Sequence, residues 1–326
     1  MKKVYKIVIL FFLLIVAVFG LPLIAGQPIS LSEVIKADTL DFSIYWKLRF
    51  PRMVLGLICG GGLALVGLIF QSIFRNSLAS PYTLGVASGA SLFVVLTISF
   101  LGSVSVVAQG GMIFMAFMGA NLSILLIYLL AQSSGQLQTG KMILAGVALS
   151  YIFSAIIAIT YFYSNTTETY QMLRWMMGGL EVKGYQFLWM LGPLAIISIV
   201  LLFLMIKPIN IISTSGEFAA GKGVDVHKIQ KYSFLTASLL TAGIVSYAGP
   251  IAFVGLMIPH IVRQIFGVNL KHNFLPVLLT GGLFLISVDS VARYLFYPVD
   301  FPVGILTGIL GGPFFLLLLY KERKNR

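Results

Sequence analysis

Uncharged apolar runs of about twenty residues recur from one end of this 326-residue chain to the other, and residues 7–24 are the first of them. A bilayer core about 30 Å thick needs roughly 20 residues of helix to cross it. Inside that core every backbone N–H and C=O must be satisfied by the chain itself, so only helices and closed barrels can span it. Barrel strands alternate lipid-facing and lumen-facing residues, and these runs do not alternate. The chain is therefore expected to be an all-α polytopic membrane protein. Composition agrees: 59% of residues are hydrophobic and 10% charged, against roughly 25% charged in soluble domains, and the mean hydropathy is +0.99.

Ten spans are predicted, near residues 4–24, 52–74, 87–103, 109–131, 141–163, 187–206, 230–249, 254–267, 275–292 and 303–320. The eighth is too short to cross the full core unaided. Met1-Lys2-Lys3 before an apolar run also resembles a secretory signal, but the run is long for a signal core and the small-residue cleavage pattern at Ala25-Gly26 is weak. A retained first helix is the expectation.

An even number of spans puts both termini on one side. Taking that side as cytoplasmic places 15 of the 22 basic residues inside and 7 outside, in line with the positive-inside rule. The net charge of +12 is thus a topology signal, not a nucleic-acid footprint. Almost nothing ionisable falls in the middle of a span. Ion-coupled carriers keep titratable groups at depth, and intramembrane enzymes need a nucleophile with a base, or a metal. Both competing classes, a self-powered secondary transporter and a membrane enzyme, lack the residues they require.

Several local patterns carry less than they first suggest. Gly135, Gly140 and Lys141 nearly spell a phosphate loop, but Met142 stands where a Ser or Thr would hold magnesium, and apolar helices flank the segment. No ATP site, enzymatic activity or cofactor is expected in this chain. Asn165-Thr166-Thr167 fits a glycosylation sequon and marks an outside loop. His227, His260 and His272 share no metal-ligand spacing, so no metal site is expected. The lone Cys59 can form no intrachain disulfide. The 33 glycines, with Gly60-Gly61-Gly62 as the densest cluster, suit close packing of membrane helices, with a role along a substrate path as the alternative.

The inside loop 207–231 is the most informative stretch. Ser213, Thr214 and Ser215 offer helix N-caps, Glu217 suits a first turn, and Gly223 suits a C-cap. A short capped helix there, with Phe218, Ala219 and Ala220, could dock on a partner; a solvated linker is the plain alternative. The run Gly216-Glu217-x-Ala219-x-x-x-Gly223 resembles the coupling segment of the FecCD/BtuC permease family, with Lys222 where that family usually has Leu. Further marks of the family follow in order. Arg49-Phe50-Pro51-Arg52 resembles its R-x-P-R. Residues 71–90, with Gln71, Arg75-Asn76, Leu78-Ala79, Pro81, Leu84-Gly85 and Gly89-Ala90, resemble its Q-x-x-x-R-N-P-L-A stretch, with Ser77 for the first proline. Gly249-Pro250-x-x-Phe253-x-Gly255 through Pro259-His260-x-x-Arg263 resembles its G-x-I-x-F-x-G-L-x-x-P-H-x-x-R stretch, and Asp289-x-x-x-Arg293 and Gly311-Gly312-Pro313 its C-terminal pattern.

What the resemblance implies is a BtuC-like permease domain over residues 1–326, with an inside coupling segment near 213–224, in a bacterial inner membrane with both termini cytoplasmic. The implied machine is an ATP-binding-cassette importer built from two permease copies or paralogues. Two separate ATPase subunits would hold the ATP and magnesium, and an extracytoplasmic binding protein would dock outside. Its cargo would be an iron chelate, a ferric siderophore or haem, with cobalamin or molybdate as alternatives. Arg49, Arg52 and Arg293 match family positions that meet acidic residues of the binding protein. As residues alone they could equally anchor at the interface, and Asp289 and Arg293 could pair along one helix. Gly216, Glu217, Phe218, Ala219, Ala220 and Gly223 would contact the ATPase. Gln71, Asn76, Ser88, Gly89, Gly249, Pro250, Phe253 and Pro259 are the expected path and gate residues.

Overall fold

The structure, a computed structural model, describes residues 2–27, 29–82, 84–101, 107–133, 136–137 and 139–324. Among them fourteen α-helices follow one another: α1 Lys2–Ile24, α2 Leu31–Val34, α3 Leu40–Ile44, α4 Phe50–Ile73, α5 Val86–Leu101, α6 Val107–Ala131, α7 Thr139–Tyr163, α8 Thr166–Met176, α9 Leu188–Leu204, α10 Ile206–Ser215, α11 Val226–Ala248, α12 Val254–Phe266, α13 Leu270–Leu295 and α14 Val303–Lys324. A π turn, Tyr45–Arg49, joins α3 to α4, and a 3-10 helix, Gly216–Lys222, follows α10. Between α6 and α7 the two-residue strands Gln132–Ser133 and Gln136–Leu137 pair antiparallel.

Each of the ten predicted spans is occupied by a helix: α1, α4, α5, α6, α7, α9, α11, α12, α13 and α14. Among the described residues five segments are long and apolar enough to cross a membrane outright: Val4–Ile24, Leu40–Ile73, Gly110–Ala131, Gly140–Tyr163 and Leu270–Leu295. A sixth is α9 continued by α10 with a bend of 53°. The others are shorter, as in α5, α12 and α14, or open on a polar turn, as α11 does with His227, Lys228 and Lys231. Residues 102–106, at the end of the third predicted span, and Gly135 and Gln138 of the loop-like pattern lie outside the described residues.

The core sits around α4. Its apolar window is 83% buried, while that of α1 is 11% buried. Helices α11, α12 and α13 pack directly on α4, and α5, α6 and α7 form a second group joined through α11. Glycines set the closest crossings. A methyl on Gly60 would run into the Gly281 carbonyl, one on Gly67 into the Gly255 carbonyl, and one on Gly89 into the Gly119 carbonyl. Hydrophobic burial does not drive helices together in lipid, so close van der Waals contact between small residues must do much of that work.

Sequence reading left the short helices α2, α3, α8 and α10 unseen, and two of them show why. One is α8, whose start is a capping box: the Glu168 N–H donates to Asn165 Oδ1 at 2.9 Å, and the Asn165 N–H donates to Glu168 Oε2 at 3.3 Å. Asn165 of the sequon is thus an N-cap. The other is α10. Ser213 and Thr214, expected as N-caps, lie inside it, and both hydroxyls donate back to the Asn210 carbonyl at 2.9 Å. A short helix is still present one step later, as Gly216–Lys222 ending on Gly223 at φ +78°, but Ser215 at its start makes no side-chain cap bond, so only the C-terminal cap is as expected.

Candidate functional site

Three places in the bundle hold the residues singled out by the sequence. At the predicted outer end, Arg49, Arg52 and Arg293 come together, but their side chains turn inward. Arg52 keeps 8% of its side-chain surface and Asp289 none. The Arg52 fork grips Asp289 through Nε–Oδ2 at 2.9 Å and Nη2–Oδ1 at 2.8 Å, and its Nη1 donates to Asp300 at 3.1 Å. Arg49 donates to the carbonyls of Pro22 and Gln27, both at 2.7 Å, which ties the end of α1 to the start of α4. Arg293 lies 3.4 Å from Asp289 across one turn of α13, and its buried Nε and Nη2 find no acceptor. Expected as exposed rim charges, these arginines are instead largely covered: Arg52 and Arg293 share the buried Asp289, Arg52 also holds Asp300, and Arg49 binds backbone carbonyls. Bidentate guanidinium–carboxylate pairing of this kind fixes geometry as well as charge.

Local sequence explains the arrangement. Pro51 has no N–H, so the carbonyls one turn earlier lose their helical donor. The carbonyls of Trp46 and Lys47 accept instead from the Tyr185 hydroxyl at 2.7 Å and the Gly184 N–H at 3.0 Å. The π turn at Tyr45–Arg49, a form of helix found often at functional sites, results, and it is pinned to the loop 177–187. That loop in turn lies over the break between α11 and α12: the Gly179 N–H donates to the Ala248 carbonyl at 2.8 Å, and the Gly304 N–H to the Gly178 carbonyl at 3.2 Å.

At the predicted inner end, the 3-10 helix presents Phe218 with 82% of its surface exposed, while Ala219 is fully buried. Ala220 is exposed. The side chain of Glu217 lies outside the described residues. Gly216, at φ +57°, leaves room for the Arg75 guanidinium, which a methyl there would strike. A cavity of about 500 Å³, lined by Arg75, Ile212, Gly216, Ala220, His227 and Gln230 among others, opens beside the turn. Asp225 caps α11 by accepting from the Lys228 N–H at 3.1 Å, and this bond, with the Lys228 ammonium, holds its carboxyl below the usual carboxylate range.

Between these ends lie the path candidates, and the structure separates them. Gln71, Gly89, Gly249 and Pro259 are buried, whereas Asn76, Ser88, Pro250 and Phe253 are half-buried. Gln71 donates to the Gly255 carbonyl at 3.1 Å and accepts from Arg263, linking α4 to α12. The expected break is present: Gly249 at φ +65° ends α11, and Phe253 at φ +66° begins α12. A positive φ at a residue with a bulky side chain is strained, and the Phe253 ring fits only because Gly311 of α14 has no side chain.

One surface cavity, about 490 Å³, is lined by Asn76, Leu78, Tyr82, Ile143, Val147, Ser150, Tyr151 and Ser154. Ser88 joins its wall through a 2.9 Å hydrogen bond to Ser150. Sequence reading reached Asn76 and Ser88 but missed Tyr82, Ser150, Tyr151 and Ser154. The legible signal was three hydroxyl side chains, Ser150, Tyr151 and Ser154, close together in the middle of α7. Polar groups at such depth ordinarily face protein or water, not lipid. The cavity offers hydroxyls and aromatic faces without a fixed charge, which suits weak, reversible contact with a bulky solute.

Residues 9–321 match the FecCD transport family. The Fe(3+)-citrate import system permease protein YfmD of Bacillus subtilis is 32% identical over 95% of this chain and 93% of that protein. The cobalamin import system permease protein BtuC of Halobacterium salinarum is 36% identical over 87% of this chain and 74% of its own length. A solved structure described as an inward-facing conformation of a metal-chelate type ABC transporter superposes with a TM-score of 0.86, at 28% identity, over 97% of this chain and 99% of that one.

Proposed function

The chain belongs to the FecCD transport family, and on that premise we propose that it is the permease subunit of an ATP-binding-cassette importer that moves an iron chelate across the bacterial inner membrane. The observation that carries this reading is a family match extending over residues 9–321, together with permease relatives aligned over nearly their full length. An iron-citrate permease and a cobalamin permease are similarly related to this chain, so identity alone does not choose the cargo. An iron chelate is the choice argued here, with the hydroxyl-lined cavity beside α7 as its path wall.

Two copies of the chain, or this chain and a paralogue, enclose the path. The Gly249–Phe253 break, with Pro259 in the short α12, flexes as the gate, and Gln71, Asn76, Ser88 and Gly89 flank it. The energy source is a pair of ATPase subunits that carry ATP and magnesium. They grip the 216–223 turn, where Gly216, Glu217, Ala219, Ala220 and Gly223 shape a compact knob and the exposed Phe218 ring fills a pocket of the partner. An exposed aromatic of this size on a polar loop is the kind of side chain that anchors interfaces. The binding protein docks at the opposite end, over Arg49, Arg52 and Arg293. Both termini lie with the ATPases.

Co-purification tests this assembly. Tagged wild-type chain should retain the ATPase encoded beside it through size exclusion in detergent, and Phe218→Glu should lose it while the permease elutes at an unchanged volume. Retention of the ATPase by Phe218→Glu would move the coupling contact elsewhere.

A further inference from the structure

Gln71 is buried, and one neighbouring helix engages both ends of its amide. The reason begins with Pro259. Proline has no N–H, so the Gly255 carbonyl, one turn earlier in α12, has no helical donor. Gln71 Nε2 donates to that carbonyl at 3.1 Å. Gly67, one turn before Gln71 on α4, brings the backbones close enough, since a methyl there would run into the same carbonyl. Gln71 Oε1 accepts from the guanidinium of Arg263, two turns further along α12. Arg263 is half-buried, and among the described residues it forms no ion pair. A single amide thus holds the first and third turns of the short helix that follows the Gly249–Phe253 break.

The backbone of Gln71 serves the other direction. Its carbonyl accepts from the Asn76 N–H at 3.2 Å, a bond that closes a helix end around a residue in the left-handed region. That residue is Arg75, at φ +50°, where glycine is the usual occupant. The Arg75 guanidinium lies against Gly216, the first residue of the 3-10 turn, where a methyl would strike it. Beside it, Gln230 of α11 donates to the Ile73 carbonyl at 3.0 Å. The last turn of α4 therefore meets the 216–222 turn and α11 on one side, and grips α12 on the other.

We propose that Gln71 and Arg263 are positioning residues, forming the clasp through which a shift of the 216–222 turn reaches α12. This rests on the importer reading above, in which that turn meets the ATPase and the Gly249–Phe253 break is the gate. Held at its first turn alone, α12 could tilt about the break on its own. The Arg263 bond ties its far end to the same α4 side chain, so the helix moves with the end of α4. Arg263 holds a neutral amide, without the bidentate carboxylate grip that fixes Arg52, which suits a contact remade in every cycle.

Ferric citrate uptake and phosphate release, measured together in proteoliposomes holding this chain, its neighbouring ATPase and its binding protein, test the clasp. Gln71→Leu and Arg263→Met should each retain the ATPase on size exclusion and go on hydrolysing ATP, while the ATP hydrolysed per chelate imported rises about tenfold. The double variant should be no worse than Gln71→Leu alone, because the two side chains act as one unit. Arg263→Lys, which keeps a donor for Gln71 Oε1, should recover part of the coupling. Should Gln71→Leu aggregate, the ratio in Arg263→Met decides alone. Uptake and hydrolysis falling in proportion, or additive losses in the double variant, overturn the proposal and leave the importer standing. Absence of ATP-dependent uptake by the wild-type complex would overturn the importer reading itself.

Discussion

Asp289 has no exposed surface, and two arginines compete for it. Removing one partner of a buried pair leaves an uncompensated charge, which typically costs about 3–5 kcal/mol. Asp289→Ala leaves both Arg52 and Arg293 without their shared carboxylate. It should therefore destabilise the purified permease by about that amount in denaturant titrations, with Asp300→Ala costing far less because that carboxylate is 55% exposed. Equal losses from the two variants would mean that burial at Asp289 is not what matters. Asp225 gives a pH signature at the other end. Its carboxyl is held below the ordinary range by the Lys228 N–H and ammonium, so the charged cap favours the fold above the unfolded carboxylate value. That contribution is lost as pH falls through the lower, folded value. Asp225→Asn keeps the cap but not the charge. Its thermal midpoint should fall below wild type at neutral pH, and the gap should close in acid.

Glycine contacts decide how the helices come together. Gly67 of α4 meets the Gly255 carbonyl of α12 with no room for a methyl, and overpacking a fitted core typically costs about 1–3 kcal/mol. Gly67→Val should exceed that range and yield aggregated permease on size exclusion, whereas Gly308→Ala, which meets nothing, should behave as wild type. Helices at the ten predicted spans were legible because long apolar runs have few other fates in a bilayer, although only five segments and one bent pair among the described residues are long and apolar enough to cross outright. The loops were less so. The Asn165–Glu168 capping box was written in the sequence and went unused, and the π turn depends on Tyr185 and Gly184, residues more than 130 positions away from Trp46 and Lys47 that no local pattern could bring there. For the same reason the arginine motif was visible as a motif, but the inward direction of its side chains was not: Asp289 and Asp300 are distant in sequence and reach Arg52 only through the α4–α13 packing.

At the scale of the whole molecule, the bundle has two unlike ends. One displays Phe218 on a short exposed turn. The other carries a buried ionic frame around Arg52 and Asp289, and a hydroxyl-lined cavity is built elsewhere in the bundle beside α7. In the proposed importer these features are the contact surfaces and the path wall, and the work comes from the partner ATPases. Uptake of ferric citrate into proteoliposomes, with this chain, its neighbouring ATPase and its binding protein reconstituted together, is the most direct test. Accumulation should need both ATP and the binding protein, and should collapse with Phe218→Glu. Accumulation driven by an ion gradient alone, with the ATPase absent, would contradict the importer assignment.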